Sequence, residues 1–206
     1  MRAGVCASAI ASVCGGGTAA WAQIAAGAPA LEGRWQTACL PIGKNGRHGM
    51  IVTLSVPEDT ARTGEGPLHS VAQLYAKSDC ADPTVEAVYE GNVALTQEAT
   101  GQFLADQDVG TMTLTPQAPD VVALYNAQPE EKGCGLTGWQ LNQPQDVSGK
   151  TCAVTAFPAA GTRLYDRAWI EGETLQFGGF PVKWDLTAAA QRPHEPGPIL
   201  FERVRD

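Results

Sequence analysis

Short runs of two-residue alternation, each bounded by turn-forming residues, constrain this chain more than any other feature of it. In 49–56, Met50, Val52, Leu54 and Val56 alternate with Ile51, Thr53 and Ser55. In 84–95, Val85, Ala87 and Tyr89 fall on one side, with Glu86, Val88 and Glu90 on the other. Met112 and Leu114 close 102–114 opposite Thr111, Thr113 and Thr115. Side chains that alternate with a period of two belong to strands, because successive Cβ atoms point to opposite faces of a sheet. Asn45-Gly46 is a hairpin signal, so 49–56 should return antiparallel to the strand before it.

Further strand candidates are 31–40, 68–76, 147–157, 163–170, 174–177 and 199–204. The polar, proline-bounded stretch 57–67 reads as a loop, 121–125 as a short buried run, and 187–191 as a helical turn. The pattern gives about nine or ten short strands with turns between them, and no alternation of strands with long helices. It predicts an all-β chain, a single antiparallel barrel (closed or half-closed) or a sandwich, over residues 31–206.

The start of the chain reads as an export signal. Arg2 supplies the positive end, Val5 to Val13 a small, weakly apolar run, and Ala20-Trp21-Ala22 a cleavage pattern before Gln23. Residues 1–22 are thus expected to be a signal peptide and 23–30 a linker. The destination would be the periplasm or the exterior; lipid attachment at Cys14, in a lipobox-like Ala11-Ser12-Val13-Cys14, is the lesser alternative. No later stretch approaches the ~18 apolar residues of a membrane span.

Four cysteines then remain, Cys39, Cys80, Cys134 and Cys152. An even number in an exported chain reads as two disulfides, with three connectivities open. Cys39–Cys80 with Cys134–Cys152 is preferred, because each pair brackets one block of the chain. Zinc is the competing reading, but no pair has the short Cys-x2–4-Cys spacing.

Removing Arg2 with the leader leaves 13 basic residues against 22 acidic. That balance excludes a nucleic-acid surface, which needs clustered lysine and arginine. His48, His69 and His194 fall in separate segments, so no base with a nucleophile and an orienting group is predicted. There is no Gly-x-Ser-x-Gly elbow, no phosphate loop and no His-Glu-x-x-His. No catalytic residue, metal or cofactor is therefore predicted. What remains is one apolar sheet face. Met50, Val52, Leu54, Val56, Val85, Tyr89, Met112 and Leu114 would either pack as an ordinary core or line a cavity for a hydrophobic small molecule or acyl chain.

One series of motifs resembles a known family. Gly33-x-Trp35 is similar to the opening of lipocalin and calycin barrels. Trp35-x-x-x-Cys39, Tyr75 with Asp79-Cys80 and Pro83, and Cys134-Gly135-x-x-Gly138-Trp139 follow. Asp146-Val147, Cys152, Leu175-x-Phe177-Gly178 and Arg192-Pro193 complete a likeness, over 31–204, to the adenomatosis-polyposis-coli-down-regulated (APCDD) domain. The resemblance implies a lipocalin-like β-barrel, the cysteine pairing preferred above, and binding of an apolar or lipid-like ligand. Trp35 would then plug one end of the barrel, with any site above it. Two other functions stay open: a packed barrel acting as a structural or protein-interaction module, and an exported hydrolase.

Overall fold

A computed structural model describes residues 31–99 and 101–205. The predicted signal peptide, the linker up to Ala30 and Cys14 lie outside the described residues. The strands are β1 (Gly33–Thr37), β2 (Leu40–Ile42), β3 (His48–Val56), β4 (Glu65–Tyr75), β5 (Pro83–Ala99) and β6 (Gln102–Pro116), then β7 (Gln145–Asp146), β8 (Thr151–Cys152), β9 (Thr155–Ala156), β10 (Arg163–Glu171), β11 (Thr174–Phe177) and β12 (Leu200–Arg203). Two helices intervene, α1 (Glu58–Thr63) and α2 (Pro119–Ala127).

Each barrel strand pairs antiparallel with its neighbours in the order β1-β12-β11-β10-β6-β5-β4-β3. β1 pairs with both β12 and β3, Trp35 facing Arg203 on one side and Leu54 on the other, so the eight-stranded sheet closes on itself. The fold is an antiparallel β-barrel with two disulfides, Cys39–Cys80 and Cys134–Cys152. Such bridges fit an oxidising, exported compartment. Among the described residues no helix is long and apolar enough to cross a membrane.

The barrel has a packed end and a hollow end. Trp35, Leu54, Leu68, Leu175 and Phe201 are fully buried and fill the packed end. Trp35 donates its indole N–H to the Leu31 carbonyl at 2.9 Å, and the Arg203 guanidinium lies 4.2 Å over its ring. The register carries the other end of β3 away from this plug, since Met50 pairs with Leu40 and Leu74. There the Cys39–Cys80 bridge fastens the β1–β2 break to the turn after β4. It packs against Gly49, where a Cβ would come within 2.6 Å of the Lys77 carbonyl oxygen and 2.7 Å of Cys80 Sγ.

Four segments differ from their sequence reading. The strand candidate 147–157 is instead a turn followed by the two-residue strands β8 and β9, which pair with each other. The predicted first strand, 31–40, is two strands broken at Ala38 and Cys39, where the chain turns aside to meet Cys80. The predicted loop 57–67 holds α1 and the start of β4. Glu58 and Asp59 favour the helix by lying at its positive N-terminus, and Gly64, at φ 80°, ends it. The run 121–125, read as a short buried run, is part of α2, none of whose residues is buried; Pro119 at the first turn presets a helical φ.

Candidate functional site

The hollow end is a cavity of about 500 Å³, built from three parts of the chain. The barrel wall supplies Met50 from β3, Ser70, Ala72 and Leu74 from β4, Val85, Ala87 and Tyr89 from β5, and Met112 and Leu114 from β6. These fall in register across the sheet: Met50 faces Leu74, which faces Val85, and Tyr89 faces Met112. Small residues at Ser70, Ala72 and Ala87 leave the space open between larger neighbours.

The second wall is the long connection from β6 to β10. Short β7 pairs with β6, and the β8–β9 hairpin follows. Tyr125, Lys132, Val147, Cys152 and Phe157 from this connection line the cavity. A small core of its own holds it in shape. Trp139 is buried, meets Tyr125 edge-on with ring centres 5.0 Å apart, and exchanges main-chain hydrogen bonds with the Asn126 side chain at 2.9 Å. The Cys134–Cys152 bridge ties its two halves together.

The third wall is the loop after β11, through Phe180, Pro181, Val182 and Trp184. Phe180 and Trp184 stand 5.8 and 5.6 Å from the Tyr89 ring and 5.7 Å from each other, and Phe157 joins them 6.4 Å from Trp184. Contacts of this kind add to the burial of each ring. The loop is pinned from within the barrel. Asp166 points inward from β10, is 1% exposed, and its carboxylate accepts the Phe180 N–H at 2.7 Å and the Gly179 N–H at 3.0 Å. Burial pushes the Asp166 carboxyl above its ordinary range, against the hydrogen bonds from Phe180, Arg167 and Gly179, which favour its charged form. On the outer side, Arg192 donates to the Asp166 main-chain oxygen and pairs with Asp106.

Tyr89 is the floor of this site. It is 3% exposed, and its hydroxyl is buried without a hydrogen-bond partner among the described residues. Burial drives that hydroxyl well above the usual tyrosine range. The ring can lie along the strand only because residue 91 is glycine; a Cβ there would come within 2.5 Å of the hydroxyl. Deeper in the barrel, the Gln107 side-chain oxygen is likewise buried and unpartnered.

Of the eight residues predicted as cavity lining, Met50, Val85, Tyr89, Met112 and Leu114 line it. Val52, Leu54 and Val56 face the same interior but are buried in the packed end, below the cavity. Sequence reasoning missed Phe180, Trp184, Phe157 and Tyr125. The one available signal was large aromatics in stretches otherwise rich in glycine and proline, where a polar loop would not need them.

The histidines occupy separate places. His48 bonds the Ala76 carbonyl at 2.9 Å, His69 stands 3.8 Å from Glu90, and His194 lies in the loop before β12. Among the described residues no group of three or more His, Cys, Asp or Glu is placed to hold a metal. No protein-family model matches this chain, and no curated protein matches it. The fold and the cavity define its class: a closed antiparallel β-barrel with an apolar chamber at one end.

Proposed function

We propose that the protein is an exported carrier that holds a small apolar or lipid-like ligand in the open end of its barrel. The observation that carries the reading is the chamber of about 500 Å³ walled by aliphatic and aromatic side chains. That size falls within the range of small-molecule sites, about 300–1,000 Å³. An ordinary barrel core would be filled to interior density, as the Trp35 end is. The proposal includes binding without catalysis, delivery to the periplasm or the exterior, and kinship with the APCDD domain through the motifs from Trp35 to Arg192.

The test is thermal unfolding of the purified chain with and without dodecanol. A ligand that binds only the folded state at a concentration of 100 Kd stabilises by about 2.7 kcal/mol. A rise in Tm is expected in the wild type and its loss in Ala87→Trp, which fills the chamber. An unchanged Tm in the wild type, or an equal rise in Ala87→Trp, would refute the carrier reading.

A further inference from the structure

Resting on that reading, we infer that the ligand is a long-chain carboxylate, bound tail-first with its head group at Lys132. Among the described residues, Lys132 is the single charged side chain lining a chamber otherwise made of apolar groups, two tyrosines, a serine and two threonines. It is itself exposed, so it stands at the rim and not at the floor.

Its backbone is held in place. The Lys132 and Gly133 N–H groups donate to the Gln128 carbonyl at 2.8 and 3.1 Å, and the Gly133 carbonyl accepts the buried Trp139 indole N–H at 3.1 Å. Two residues on, Cys134 is bonded to Cys152, another lining residue. The position is thus fixed relative to the chamber, while the side chain keeps a cation's reach on a flexible stem. Among the described residues, the ion pairs between Lys or Arg and a carboxylate all lie elsewhere, and none engages Lys132. In a chain with formal net charge −8, an unpaired lysine over an apolar opening is an uncommon place for an anion to settle.

The floor dictates the direction. Tyr89, Met112, Phe180 and Trp184 offer no cation, and the Tyr89 hydroxyl is buried against Gly91, so an ionised head driven to the bottom would be buried unpaired. With the head at the rim, the alkyl chain fills the apolar chamber and the charge stays in water beside Lys132. One ammonium neutralises a monoanionic carboxylate head and leaves no net charge at the rim.

Titration calorimetry of dodecanoate and dodecanol into wild type, Lys132→Gln and Lys132→Arg tests this. Lys132→Gln should weaken dodecanoate by about 3–5-fold, as for a solvent-exposed ion pair, and leave dodecanol within about 2-fold. Lys132→Arg should restore dodecanoate. Added salt should weaken dodecanoate alone. Equal losses for both ligands, or no loss for either, would overturn the head-group assignment and leave the chamber intact as a binding site. Failure of both ligands to bind the wild type would overturn the carrier reading itself. Near-ultraviolet circular dichroism separates these results from misfolding.

Discussion

Replacing Asp166 by alanine should loosen the aromatic loop that walls the chamber. The carboxylate is 1% exposed and takes the N–H groups of Gly179 and Phe180, both of them buried. An orphaned buried donor costs about 1–3 kcal/mol, so the two together cost about 2–6 kcal/mol. Removing a carboxylate whose own burial is unfavourable offsets part of this, leaving an expected loss of about 2–4 kcal/mol. Urea unfolding measures the loss, and amide hydrogen exchange locates it: protection at Gly179 and Phe180 should fall more than at Val52 or Leu54. The sign of the pH dependence follows from the raised carboxyl. A group whose folded pKa lies above its unfolded value contributes stability that is present below the unfolded pKa and lost as pH rises through the folded one. Wild type should therefore gain stability relative to Asp166→Asn as pH falls from 7 through the carboxylate range. Undiminished protection at Gly179 and Phe180 in the alanine variant would refute the pinning. A relative loss by wild type on acidification would show that the hydrogen bonds outweigh the burial.

Two further predictions concern the packed end and the floor. Trp35→Ala should cost about 3–5 kcal/mol, read from the urea midpoint, because it empties a fully buried site and removes the ring under Arg203; a loss under about 1 kcal/mol would mean that the plug is dispensable. Tyr89→Phe should be neutral or stabilising by up to about 2 kcal/mol, since it deletes a buried hydroxyl with no partner. A loss of more than about 1 kcal/mol would show that the hydroxyl is bonded.

The barrel could be read from the sequence because its physical causes are local. Alternation along Met50–Val56 and Val85–Tyr89 names the inward face of each strand, and Asn45-Gly46 directs the chain back on itself. The cysteine pairing was readable because each bridge closes within one block, Cys39 to Cys80 and Cys134 to Cys152. The site was readable only in part. A period of two says which face a residue takes but not how far along the barrel it lies, so Val52, Leu54 and Val56 looked equivalent to Met50. Which level is hollow is decided by segments distant in sequence. Tyr125 and Phe157 arrive from the connection between β6 and β10, and Phe180 and Trp184 from a loop held by Asp166. Neither segment has a periodicity that marks it as a wall. The helices α1 and α2 were missed because a proline, which breaks a strand, also begins a helix, and the polar residues after Pro57 include acids that favour a helix N-terminus.

The central claim is that an apolar chain enters the chamber beside Trp184 and stops above Trp35. Fluorescence quenching by dodecanoate brominated near its methyl end tests it most directly, because bromine quenches an indole only at short range. Saturable quenching is expected in wild type and in Trp35→Phe, with most of it lost in Trp184→Phe. Quenching that persists in full in Trp184→Phe, or that does not saturate, would contradict the claim.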